Sequence, residues 1–162
     1  MVTVHPASTE VWSWLGQIPD PEIPAISITD LGIVRDVRWN ADGETLQVTI
    51  TPTYSGCPAT EMIARDITRS LRDHGVRKVQ LRTQLSPAWT TDWISEHAKE
   101  RLRQFGIASP ANPLVQIEAA QPACPRCGSR ETQVVSRYGS TPCKALYKCR
   151  ACLEPFDVFK RH

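Results

Sequence analysis

Two C-x-x-C pairs, Cys124-Pro125-Arg126-Cys127 and Cys149-Arg150-Ala151-Cys152, are separated by 21 residues. Such a pair in a tight turn points two thiolates at one centre. Two such knuckles complete a tetrahedral four-sulfur site, which suits zinc. Four thiolates also hold iron, so zinc is the default metal rather than one that the spacing dictates. The competing chemistry is a thioredoxin-type redox motif, which needs a different fold around each pair. Cys143 lies between the knuckles. It is expected to be inert filler, because tetrahedral zinc closes at four ligands; the alternative is an extra thiol that competes for metal.

Cys57 stands apart, 67 residues before the next cysteine, in Pro52-Thr53-Tyr54-Ser55-Gly56-Cys57-Pro58. An alternating apolar run precedes this stretch and a helical pattern follows it, which predicts a strand-to-helix loop carrying a thiol. Pro58 suits the first helical position, where its missing N–H costs nothing. Cys57 is then expected at the helix N-cap, facing free backbone N–H groups and the positive end of the dipole. Both favour the thiolate, the form that attacks and binds metals. Gly56 permits close backbone approach or an unusual φ. The bland alternative is a small apolar residue closing a strand, since free cysteines are mostly buried.

The elements that position these thiols are readable from periodicity. Ser8 is expected to cap a short helix with apolar positions Val11, Trp12 and Leu15, ending at Gly16. Asp20-Pro21-Glu22-Ile23-Pro24 holds two prolines in five residues, which forbids a regular helix and predicts a rigid extended loop. Its two acids could serve a metal or a partner, although turn formation and solvation are the commoner uses. Val37 and Trp39 alternate with Arg38 in one strand, and Leu46, Val48 and Ile50 alternate with polar residues in a second. Asn40-Ala41-Asp42-Gly43 supplies the hairpin turn between them. After the Cys57 loop, Ala59, Ile63, Ile67 and Leu71 share one helical face, and Gly75 is the C-terminal stop.

Val79 and Leu81 then mark a third strand. The strand–helix–strand crossover is expected to be right-handed with its two strands parallel, which sets the Cys57 loop at a strand's C-terminal end, where open α/β sheets usually place their sites. Leu85-Ser86-Pro87-Ala88-Trp89 is a proline-bearing loop. Thr90 or Thr91 is expected to cap a third helix with face Ile94, Ala98, Leu102 and Phe105, stopped by Gly106. A connector over residues 108–113 and a short edge strand, Leu114–Ile117, lead into the cysteine-rich region. His5, His74, His97 and His162 stand alone and read as surface or core residues rather than ligands.

Composition divides the chain. Residues 1–120 carry 11 Lys/Arg and 14 Asp/Glu, a net of −3, whereas residues 121–162 carry 8 and 3, a net of +5. All five tryptophans fall in the first part and five of the six cysteines in the second. No apolar run is long enough to span a membrane. Met1–Glu10 lacks a basic region followed by an apolar one, so no signal peptide is visible and a cytoplasmic setting with reduced thiols is expected.

Within the second part, Gln133–Ser136, Ala145–Lys148 and Val158–Phe159 are expected strands of a ribbon. About 40 residues cannot bury enough surface to fold unaided, so metal would supply much of the stability. The basic surplus includes Arg126, Arg130, Arg137, Lys144, Lys148, Arg150, Lys160 and Arg161. It permits contact with nucleic acid, with Tyr138, Tyr147, Phe156 and Phe159 as stacking residues. The favoured alternative makes those four aromatics the core of the ribbon and the charges a solvated surface.

Four phrases, Asp20–Pro24, Asp30-Leu31-Gly32, Pro52–Pro58 and Trp89-Thr90-Thr91-Asp92-Trp93, together resemble the iron–sulfur carrier and assembly family that includes SufT-like proteins. The appended four-cysteine unit is similar to that of the PaaD (PaaJ) subset, which belongs to phenylacetate catabolism and the multicomponent phenylacetyl-CoA epoxidase (ring 1,2-oxygenase). The resemblance spans essentially the whole chain. It implies that Cys57 is the functional thiol and that the protein builds or delivers iron–sulfur clusters. It also implies a client, the reductase component of the epoxidase, with its ferredoxin-type cluster.

The fold expected is α+β: a small mixed β-sheet with about three helices over residues 1–118, then a C-terminal four-cysteine zinc ribbon of short β-strands over residues 119–162. The site expected is Cys57 handling a cluster or iron, with Asp20, Glu22, Thr53 and Ser55 as secondary candidates. Cys124, Cys127, Cys149 and Cys152 are expected to hold structural zinc. One thiol cannot hold a cluster alone, so a transient cluster or iron shared across a homodimer is the second expected cofactor. The leading function is a non-catalytic maturation factor without membrane contact. A nucleic-acid-binding ribbon is the second reading. A structural or catalytic oxygenase subunit, or a Cys57-based thiol transferase, is the third; it is weakened because no histidine lies near Cys57 along the chain to serve as base.

Overall fold

The computed structural model describes residues 5–109 and 121–160. They fall into two compact units, Met1–Trp89 and Thr90–His162. The expected edge strand at Leu114–Ile117 and the boundary at residues 118 and 119 lie outside the described residues. No helix among those described is long and apolar enough to cross a membrane.

The first unit is built on three strands, β1 (Val34–Trp39), β2 (Thr45–Ile50) and β3 (Lys78–Thr83), in the order β1-β2-β3. β1 and β2 form the expected hairpin. Its turn closes through the Gly43 N–H to the Asn40 carbonyl (2.9 Å), and Asp42 accepts from the N–H groups of Glu44 (2.9 Å) and Thr45 (3.0 Å). β2 and β3 pair in parallel, from Thr45 opposite Lys78 to Ile50 opposite Thr83. A parallel pair needs a crossover, and α2 (Ala59–Asp73) supplies it. It buries Ile63, Ile67 and Leu71, the face that the i, i+4 spacing predicts. Removing each such side chain from water contributes roughly 1.5–3 kcal/mol. Gly75, at φ +88, turns the chain out of the helix in a conformation that L side chains rarely adopt.

α1 (Ser8–Leu15) packs on α2 and β1 through Val11 and Leu15. Ser8 is the first helical residue rather than the cap. The backbone of Ala7 takes that position, and its N–H is satisfied by the Glu10 carboxylate at 2.8 Å.

The second unit begins with a single 3-10 turn, Thr91–Trp93, in which Thr90 accepts the Asp92 N–H at 3.3 Å. α3 (Glu96–Gln104) follows. The expected cap at Thr90 or Thr91 serves this turn, whereas Ser95 caps the helix itself, accepting from the Ala98 N–H at 3.1 Å. Ile94, Ala98 and Leu102 are buried as expected, but Phe105 is 54% exposed, because the helix ends one residue before it.

A four-stranded sheet completes the unit: β4 (Ile107–Ala108), β5 (Thr132–Ser136), β6 (Lys144–Cys149) and β7 (Pro155–Phe159), in the order β4-β7-β6-β5. β4 lies parallel to β7, and the other neighbours are antiparallel. Ala108, Phe156, Val158, Cys124 and Cys149 form its core, with Tyr147 packed against them. Tyr138, an expected member of this core, is instead 70% exposed. It lies beyond the end of β5, where the Lys160 ammonium sits 4.2 Å from its ring centroid.

Candidate functional site

The knuckles bring four sulfurs together. Cys124, Cys127, Cys149 and Cys152 place their Sγ atoms within 4.8 Å of one another. Two pairs are closer, Cys124 with Cys152 at 3.7 Å and Cys127 with Cys149 at 3.6 Å. A tetrahedral metal with sulfur at about 2.3 Å separates its ligands by about 3.8 Å. The spacing therefore fits a four-thiolate metal site.

The knuckle backbone supports this chemistry. The Cys152 N–H points at the Cys149 sulfur (3.5 Å), and together with the Ala151 N–H it holds that thiol down at about 7. At Cys152 the Glu154 N–H acts in the same direction. Burial and the three neighbouring sulfurs outweigh it and push that thiol up to about 12. A cation at the centre reverses the second effect, because it favours the deprotonated form of every ligand.

Cys143 is buried and is not one of the four. Its sulfur lies 3.0 Å from the Thr141 hydroxyl, consistent with filler. Lys144, placed among the basic contact residues, is 3% exposed with its ammonium 3.8 Å from the Asp157 carboxylate. It is therefore lost to any polyanion-binding face. Arg161 lies outside the described residues.

Cys57 occupies the loop between β2 and α2, at the C-terminal end of β2, as the crossover requires. The loop is a tight turn in which the Cys57 N–H donates to the Tyr54 carbonyl (3.3 Å) and the Thr60 N–H to the Cys57 carbonyl (3.1 Å). The helix cap falls at Pro58, which already has helical φ −65 and ψ −23, so Cys57 stands immediately before it rather than at the N-cap itself. Gly56 has φ +80 and open space where a Cβ would stand, so its requirement is conformational rather than steric. The Cys57 side chain is half-buried, Ser55 is exposed and Thr53 half-buried.

Asp20 is buried, and its Oδ1 accepts from the N–H groups of Glu22 (3.0 Å) and Ile23 (2.8 Å). Its Oδ1 is thus engaged in shaping the proline-bearing loop. The nearby Ser27–Asp30 turn is closed reciprocally: Ser27 N–H to Asp30 (3.2 Å) and Asp30 N–H to Ser27 (3.1 Å). Trp89 locks the same region, its indole N–H donating to the Leu31 carbonyl at 2.8 Å. That bond joins two phrases which sequence reading singles out separately. The donor is legible in the sequence, but its acceptor 58 positions away is not.

The chain thus joins an α+β unit, with a loop cysteine at a strand's C-terminal end, to a ribbon that carries four clustered thiols. The chain belongs to the iron–sulfur cluster assembly protein family: residues 8–81 match that family, and residues 108–160 match the PaaD zinc beta ribbon domain. It is 49% identical over 162 residues to an Escherichia coli (strain K12) protein named as a subunit of the "Putative 1,2-phenylacetyl-CoA epoxidase", covering 99% of this chain and 97% of that one. The Fe-S protein maturation auxiliary factor YitW of Bacillus subtilis (strain 168) is 36% identical over 86 residues, or 52% of this chain and 82% of that protein. Among solved structures, a Bacillus anthracis domain of unknown function, DUF59, aligns with a TM-score of 0.53 at 27% identity. That alignment covers 58% of this chain and 89% of that one.

Proposed function

We propose that this chain is a non-catalytic maturation factor of the phenylacetyl-CoA epoxidase system, which assists iron–sulfur cluster assembly or delivery to the reductase component. One observation carries the reading. A protein named as an epoxidase subunit matches 99% of the chain, while residues 8–81, which hold Cys57, match the iron–sulfur cluster assembly family, and a Fe-S protein maturation factor aligns with 52% of the chain. The maturation chemistry then belongs to the Cys57 half, and the choice of client to the chain as a whole.

In this account the Cys57 thiolate is a ligand for labile iron or a transferable cluster, which is cargo rather than a resident cofactor. Cys57 is itself half-buried, which keeps the sulfur reachable while limiting its contact with solvent. Asp20, Glu22, Thr53 and Ser55 shape or flank the loops. One thiol cannot complete a cluster, so two copies share it as a homodimer. The ribbon holds zinc through Cys124, Cys127, Cys149 and Cys152, where the metal's part is structural, and presents a surface to the client. The setting is the cytoplasm, where these thiols stay reduced.

Metal and sulfide analysis of anaerobically purified protein, wild type beside Cys57→Ala, tests the account. Zinc in both proteins, with iron present in the wild type and lost in the variant, is expected. Zinc alone in both contradicts the carrier role of Cys57.

A further inference from the structure

β3 is an edge strand, and among the described residues no strand pairs with its outer side. An open groove of about 540 Å³ lies between β3 and α2, with Leu81 on one side and Arg65, Thr68, Arg69, Arg72 and the single acid Asp73 on the other, so three arginines face one carboxylate. The three arginines stand at i, i+4 and i+7, so they form a row along one face of the helix. Arg69 makes a 3.5 Å contact with Asp66, whereas Arg65, Arg72 and the β3 residue Arg82 make no ion pair among the described residues. The Thr68 hydroxyl is satisfied within its own helix, donating to the Ala64 carbonyl at 2.8 Å.

The charge is local to this element pair. Residues 59–83 carry six Lys/Arg and three Asp/Glu, whereas residues 1–58 carry two and seven. An acidic unit thus carries six of the eight cations of residues 1–89 on α2, β3 and the turn between them, beside a strand edge that no described strand pairs. Arginine binds carboxylates through paired N–H donors. A free edge offers backbone donors and acceptors to an extended chain. On a strand laid along β3, alternate side chains point toward α2 and away from it. Acidic side chains at alternate positions would meet the arginine row on the helix side, and those between them would pass Arg82 on the other.

We propose that this groove docks an extended acidic segment of a partner protein, which joins the sheet beside β3 as a fourth strand. The inference does not require metal chemistry at Cys57. Arg72, in the last turn of α2, also complements the helix dipole. That role does not account for Arg65, two turns earlier, or for Arg82 on the strand.

The test is fluorescence anisotropy of a dye-labelled alternating Glu–Thr peptide of about six residues, a typical strand length, titrated with the full-length, zinc-loaded protein. Saturable binding that weakens with added salt is expected. The exposed triple substitution Arg65→Gln, Arg69→Gln, Arg72→Gln should weaken it on the order of tenfold while leaving the circular dichroism spectrum unchanged. The same peptide N-methylated at alternate amides should also bind on the order of tenfold more weakly, because it cannot form the ladder. Absence of binding, or equal binding by the triple variant, overturns the proposal. Equal binding of the N-methylated peptide, or full competition by inorganic tripolyphosphate at matched charge, reduces the groove to a general anion site and overturns it as well. None of these outcomes bears on the iron content that tests Cys57.

Discussion

Trp89 is almost fully buried, and its one polar atom reaches the Leu31 carbonyl at 2.8 Å. Trp89→Phe keeps most of the ring but leaves that carbonyl without its donor. Equilibrium urea unfolding should report a loss of roughly 2–4 kcal/mol, from the unmet bond and the space left behind. Asp42 acts in the opposite setting, at the exposed tip of the β1–β2 hairpin. The Glu44 N–H, the Thr45 hydroxyl and the Thr45 N–H hold its carboxyl down at about 2, against an ordinary 3.8. A depressed folded-state value means that the carboxylate stabilises the hairpin above pH 3.8, and that this contribution is lost as the pH falls through about 2. An NMR titration of the Asp42 carboxyl should have its midpoint near 2, and a midpoint near 3.8 would contradict the turn geometry. At Cys57 the sequence identifies the thiol and its loop. The helix cap falls one residue later than expected, at Pro58, which already has helical φ and ψ.

At the scale of elements, the crossover of β2, α2 and β3 was legible because its signals agree. Leu46, Val48 and Ile50 alternate, Ile63, Ile67 and Leu71 repeat at helical spacing, and the parallel pairing follows from the helix between them. The ribbon strands were legible for a similar reason, since each leads to or from a knuckle. What failed was local competition among polar caps. Thr90, Thr91 and Ser95 are all competent N-caps, and periodicity alone does not show that a 3-10 turn uses the first and the helix the last. Aromatic fate was equally hidden. Phe156 and Tyr138 are both near strand ends by sequence, but Phe156 faces Tyr147 across the β6–β7 ladder, while Tyr138 lies past the last pair of β5. Asp20 was readable as an acid in a rigid loop. That its carboxylate binds the loop's own N–H groups depends on backbone directions that only the fold sets.

At the scale of the molecule, the two units differ in what holds them. The first unit buries many large apolar side chains, among them Leu15, Ile28, Leu46, Ile50, Ile67 and Leu71. Among the described residues the ribbon's core cluster is small, and two of its members, Cys124 and Cys149, belong to the four-cysteine site, with Tyr147 and Cys152 packed against it. Chelation should therefore unfold β5, β6 and β7 while β1, β2 and β3 persist. Amide NMR spectra would report this as lost dispersion for Val158 and Phe159 alongside retained signals for Val48 and Ile50. Uniform loss across both sets would contradict it. The proposed maturation role rests on the loop cysteine, not on the ribbon. Its most direct test is the iron and sulfide content of the epoxidase reductase component purified from cells whose chromosomal copy of this chain carries Cys57→Ala, beside wild-type cells. The account predicts a reductase deficient in its cluster with the ribbon's zinc intact. A reductase with a full cluster would show that Cys57 does not serve maturation.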